Sequence, residues 1–141
     1  MAVTDELRQD HRLLRQKLET LEAGVETAPK TAASLHRMCY WLTKFLDAHI
    51  WREKRALAPY ADRIRATLRE RMLGEHADEW LLLHELDAIF SSKVKLPTSV
   101  VVERLSRFID ELRDHMDVEE LEVFTVVDRA EQDQRAAHAG R

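Results

Sequence analysis

Two segments of equal length decide the fold: DAHIWREKRALAPYADR at residues 47–63 and RDHMDVEELEVFTVVDR at residues 113–129. In each, a histidine is followed four positions later by a glutamate, His49 with Glu53 and His115 with Glu119. Four residues advance a helix by about 400°, so the two side chains of each pair point within about 40° of each other, one turn apart. A further histidine stands upstream of each pair, His11 after Asp10 and His76 after Glu75, at spacings of 38 and 39 residues. The later parts, LAPYADR and VFTVVDR, align as well. The chain therefore reads as two helical hairpins of matching design, related by a pseudo-twofold axis between the repeated histidines.

Outward from these segments the apolar residues step by three and four, the period of a helix with one buried stripe. The first helix, from about Thr4 to Val25, carries Leu7, His11, Leu14, Leu18, Leu21 and Val25. The second, from near Thr31 to about Pro59, carries Leu35, Met38, Leu42, Phe45, His49 and Glu53. The third reads Ile64, Leu68, Met72, His76, Trp80, Leu83 and Phe90; the fourth reads Val101, Leu105, Phe108, Leu112, His115, Glu119 and Val123. Gly24 and Pro29 mark one exit turn, and SSKVKLPTS separates the third helix from the fourth. The expected fold is an all-α, up-down-up-down antiparallel four-helix bundle over residues 1–128, followed by a polar C-terminal tail at 129–141 that frays or adds a short turn.

Bulk properties agree and exclude several functions. The 141 residues suffice for one domain with a sizeable core, and only six are Gly or Pro. The net charge of −4 is spread over mixed signs, with no basic stripe for nucleic acid and no polybasic membrane patch. Apolar runs such as Trp80–Leu83 are too short to cross a bilayer, and the acidic start MAVTDELRQD reads as helix rather than leader peptide. A lone cysteine, Cys39, fits a small buried apolar residue in a reducing cytoplasm.

The stripes contain six residues that do not belong in an apolar core: His11, His49, Glu53, His76, His115 and Glu119. A histidine with an acid four residues later is common on solvated faces and means little by itself. Here both pairs occupy core positions at repeat-equivalent sites. Buried carboxylates and imidazoles without partners are costly, and a pair of cations removes that cost. Imidazole with carboxylate suits iron, manganese or zinc, and a carboxylate bridge suits two neighbouring ions.

The ordered set DH at His11, HIWRE at His49, EH at His76 and HMDVE at His115 resembles the hemerythrin-like HHE cation-binding domain, over about Asp5 to Asp128. The resemblance implies a non-haem di-iron centre, oxo- or hydroxo-bridged, ligated by the four histidines, with Glu53 and Glu119 bridging the irons. Ferritin-like di-iron bundles instead place a glutamate three residues before a histidine, and no histidine here has one.

The sequence departs from the reversible oxygen carriers of that family. Those carry a histidine four after the equivalent of His76, where this chain has Trp80, which either borders the pocket or packs in the core. His84, His36 and His138 read as structural or surface residues. The carriers also set their last carboxylate five after the helix-4 histidine; an unbroken helix favours Glu119 over Glu120, which needs a local bulge. Two imidazoles per iron with shared carboxylates leave both ions open positions, which points to binding or reduction of dioxygen, peroxide or nitric oxide. The alternative is an oxygen- or iron-sensing regulatory domain acting through a protein partner; a homodimer also stays open. A role in iron–sulfur repair is disfavoured, because the N-terminal cysteine segment typical of such relatives does not precede the first helix.

Overall fold

Long stretches of strong helix formers make long helices: α1 spans Asp5–Thr27, α2 Ala32–Leu57, α3 Ala66–Ser91 and α4 Thr98–Val118. The computed structural model describes residues 2–27, 32–91 and 98–140; Pro29 and most of the SSKVKLPTS segment lie outside them. A 3-10 helix, Ala58–Arg63, turns the chain from α2 to α3, with Pro59 near its start where a missing N–H costs nothing. Helix α4 continues through a wide π-helical turn, Glu119–Phe124, into α5, Thr125–Ala139.

The core has two apolar clusters. The upper one holds Leu14, Leu18, Leu21, Leu35, Cys39, Leu42, Leu46, Leu83, Leu86, Leu105, Phe108, Ile109 and Leu112, among others. The lower one holds Leu7, Tyr60, Ile64, Leu68, Met72, Val123, Phe124, Val127 and Ala130. Helix α1 therefore runs from the lower cluster to the upper, α2 back down, α3 up and α4 down. Each helix packs on its sequence neighbour, and α1 against α4 closes the ring. This is the expected antiparallel four-helix bundle, with no strand among the described residues.

Every residue of the α1 stripe is buried as its spacing predicts. In α2 the buried apolar positions are Leu35, Cys39, Leu42 and Leu46, while Met38 and Phe45 are only partly covered. Burying each such leucine stabilises the fold by about 1.5–3 kcal/mol. Among the described residues, no helix is long and apolar enough to cross a membrane.

The tail expected to fray after Asp128 is helical to Ala139 and packs against the start of α1. Glu131 accepts a hydrogen bond from the Val3 N–H at 2.7 Å, and Asp128 accepts one from the Thr4 hydroxyl at 2.5 Å and another from Arg8 at 2.9 Å. Two carboxylates thus meet the N-terminal end of α1, where free N–H groups and the helix dipole favour negative charge.

Candidate metal centre

Between the two apolar clusters lies one polar layer. Each of the four helices sends a histidine into it: His11 from α1, His49 from α2, His76 from α3 and His115 from α4. Glu53 from α2 and Glu119 from the π turn enter the same layer. All six are buried, His76 being the most accessible at 8%. The sequence-predicted residues are therefore brought together.

The rings form two pairs, with centroids 4.9 Å apart for His11–His49 and 4.6 Å for His76–His115. The two carboxylates lie between the pairs and each reaches both. Glu53 places Oε2 3.1 Å from His49 Nε2 and Oε1 3.6 Å from His76 Nε2. Glu119 places Oε1 3.0 Å from His115 Nε2 and 3.3 Å from His11 Nε2, and Oε2 3.8 Å from His76 Nε2. Two groups of potential ligands result, His11, His49, Glu53 and Glu119, and His76, His115 and Glu119, their donor atoms lying within 4.8 Å of one another in each.

The fit to cations can be judged from hydrogen bonding. The Nε2 atoms of all four histidines, Glu53 Oε2 and both oxygens of Glu119 are buried without a hydrogen-bond partner among the described residues. Nearly all buried polar groups in folded proteins are paired, so this many orphans in one layer mark a place built for something else. Nitrogen and carboxylate donors converging on two adjacent points suit a pair of divalent cations.

The outer ring nitrogens are secured by acids. Asp10 accepts from His49 Nδ1 at 2.9 Å and is gripped by Arg52 through two contacts of 2.9 Å. Glu75 accepts from His115 Nδ1 at 2.6 Å and is backed by Arg71 at 2.9 Å. Glu120 sits 3.0 Å from His11 Nδ1 and takes Arg15 at 2.8 Å. An imidazole donating Nδ1–H to a carboxylate keeps Nε2 as a lone-pair donor aimed inward, the tautomer that a metal ligand needs. The two halves share this logic, since the acid immediately before the first histidine of each hairpin holds the second. They differ at His76, whose Nδ1 has no partner among the described residues. Lys54 stands at the repeat-equivalent of Glu120, and an ammonium cannot accept a hydrogen bond.

Burial sets the electrostatics. It depresses His11 and His76 to about 4, His49's nearby ring adding to the effect on His11. Burial also disfavours the charge on His49, but its hydrogen bond to Asp10 and the nearby Glu53 carboxylate outweigh this and raise it to about 9. Burial works against Glu53 too, yet Glu119, His49 and His76 hold it below the ordinary carboxylate range. Glu119 is pushed well above that range by burial and by the charge on Glu53. Two carboxylates pressed together need a shared proton or a cation between them.

Several sequence readings change. Trp80 neither borders the layer nor fills the core: it is 43% exposed and packs on His84 with ring centroids 3.8 Å apart. The inward position of that turn is Glu79, whose burial the sequence reading missed. The bulge that would favour Glu120 is present, yet Glu119 occupies the layer and Glu120 stands behind His11. His36 meets Asp87 at 3.1 Å in a half-exposed pair, and His138 is exposed near the end of α5. Cys39 is buried, and burial pushes its thiol up to about 12.

A buried histidine–carboxylate layer inside four antiparallel helices defines a cation-binding helical bundle. The sequence profile of the hemerythrin HHE cation-binding domain matches residues 2–127, and the chain belongs to that family. Nothing among the curated proteins or the solved structures matches it.

Proposed function

We propose that the chain is a non-haem di-iron protein that binds or reduces dioxygen, peroxide or nitric oxide. His11 and His49 would hold one iron, His76 and His115 the other, with Glu53 and Glu119 shared between them. The observation that carries this reading is the set of orphaned inner atoms, four Nε2 and the carboxylate oxygens, converging from four helices. A bound iron pair supplies electrons and Lewis acidity to a small ligand.

The chain's own residues do three things for such a centre. Asp10, Glu75 and Glu120 fix three of the four rings in the tautomer that presents Nε2. The apolar clusters above and below exclude bulk water, which strengthens every charge interaction in the layer. A cavity of roughly 170 Å3, walled by Leu57, Ile64, Met72 and Val123, reaches Glu53 and His76 and gives a small apolar molecule a path to the layer. No side chain here is placed as a separate general acid or base, so substrate chemistry rests with the metals.

Metal analysis combined with absorption spectroscopy tests the proposal. Two irons per chain are expected, with a spectrum that changes on adding dioxygen, peroxide or nitric oxide. Replacing both Glu53 and Glu119 by alanine should reduce the content to one iron or none. Unchanged loading in that double variant defeats the bridging assignment.

A further inference from the structure

On the outer side of His115, helices α3 and α4 part to leave a groove of roughly 540 Å3. Its lining carries six carboxylates against two guanidiniums. Arg71 is engaged by Glu75 at 2.9 Å and Arg107 by Glu111 at 2.8 Å. Asp78 and Asp114, both exposed at the rim, have no ion-pair partner among the described residues.

The floor of this groove is Glu79. Its side chain is 3% exposed, and neither carboxylate oxygen has a hydrogen-bond partner among the described residues. Oε1 lies 3.6 Å from His115 Nδ1, while the opposite edge of the same ring places Nε2 3.0 Å from Glu119. One imidazole therefore separates the floor of an acidic groove from the polar layer. A carboxylate without a hydrogen bond at a core position is costly where a leucine would pack well, so it needs a reason outside packing.

Four further surface cavities each carry more basic than acidic side chains. Lys54 and Arg69 line the cavity beside His76, Arg52 and Arg55 the one on α2, Lys17 and Arg37 a third, and Arg63 and Arg129 a fourth. A cleft with an excess of one sign of charge raises the local concentration of the opposite ion, and the excess in the α3–α4 groove is negative, which favours cations.

We propose that this groove is the uptake route for divalent cations, with Glu79 as the carboxylate that receives the ion from Asp78 and Asp114 and passes it by His115 to Glu119. The route rests on the di-metal reading of the polar layer. It requires that replacing the Glu79 carboxyl group slows filling without changing how many ions are finally held.

The test mixes cation-free protein with Co2+ in a stopped-flow instrument and follows the cobalt absorption, with final stoichiometry from metal analysis. Melting by circular dichroism first establishes that each variant is folded. Wild-type uptake should slow as salt screens the groove, and Glu79→Gln should slow it by about tenfold or more while still binding two ions. The rim double variant Asp78→Asn with Asp114→Asn, which leaves the core untouched, should load several-fold slower. Glu6→Gln, beside a different cavity, should load at the wild-type rate. If Glu79→Gln and the rim variant both load at the wild-type rate while the wild type binds two ions, the route is wrong and the centre stands. If Glu79→Gln ends with fewer ions, Glu79 belongs to the centre and the transfer role is overturned. If the wild type binds no Co2+, the centre falls and the route with it.

Discussion

Removal of Asp10 tests the idea that acids behind the histidines set metal affinity. Asp10 is 5% exposed, accepts from His49 Nδ1 at 2.9 Å, and takes two 2.9 Å contacts from Arg52. In Asp10→Ala, the His49 N–H is left without an acceptor in a site where that ring is 2% exposed. An unsatisfied buried donor costs about 1–3 kcal/mol, and loss of an outer carboxylate partner lowers metal affinity by about 10–100-fold. That factor corresponds to about 1.4–2.8 kcal/mol, so the two scales agree. Arg52 is 29% exposed and returns to solvent, which adds little. Asp10→Asn keeps the volume and can turn its amide oxygen to His49, so it should lose less. The assay is anaerobic titration of cation-free protein with Fe2+ against a competing chelator, alongside thermal melts with and without metal. The cation-free melt should fall by several degrees and the gain in melting temperature on metal binding should shrink. A lowered melt with metal affinity within about twofold of wild type refutes the reasoning, because Asp10 would then be only a packing partner.

Three further outcomes follow from the same geometry. For the cation-free protein, His11 and His76 lie near 4 when folded against an ordinary 6.5, so between these values their own contribution to stability falls as pH drops. His49, raised to about 9, acts oppositely: its contribution is complete below 6.5 and is lost as pH rises towards 9. Burial also raises Glu79, to about 8, and Glu119, which offsets the two depressed histidines below 6.5 and adds to His49 above it. Urea midpoints should therefore fall as pH rises from 6.5 towards 9, and a flat profile there contradicts the burial argument. Phe124→Ala removes a fully buried ring stacked 5.2 Å from His11 and should cost about 3–5 kcal/mol in urea unfolding, so a loss below about 1 kcal/mol contradicts that packing. Trp80→His should leave metal content and spectrum unchanged, since that position points to solvent; a new ligand signature would show that α3 is turned differently.

The parts of this architecture that the sequence displayed are those where periodicity and residue type agree. All of the α1 stripe, and the histidines with their following glutamates, sit at spacings that only one helix face satisfies. Trp80 and Glu79 show where agreement fails. Stepping four from His76 leads to Trp80, whereas stepping back four from Leu83 leads to Glu79, and at about 100° per residue both lie close to the stripe. Apolar character favoured the tryptophan; the continuing series Leu83, Leu86 and Phe90 was the signal for the glutamate. Asp10 and Glu75 were visible only as the acids preceding a histidine, and their reach to a neighbouring helix depends on tertiary packing. The π turn leaves regular helix on both sides, so local propensity does not reveal it. The polar composition of residues 129–141 likewise concealed Ala130 and Glu131, whose burial comes from contacts with the far end of the chain.

The wide turn at Glu119–Phe124 couples the polar layer to the last helix of the chain. Deleting one residue there would rotate everything after it by about 100°, the angular step of a single helical residue. Val127 and Ala130 would swing away from the lower cluster, and Asp128 would leave Thr4 and Arg8. The phase of the last helix and the placement of the Glu119 carboxylate are thus fixed by the same six residues. Insertions and deletions in this turn are consequently barred from both directions, and a designer wishing to graft a new C-terminal extension has to preserve its length even when the extension never approaches the histidines.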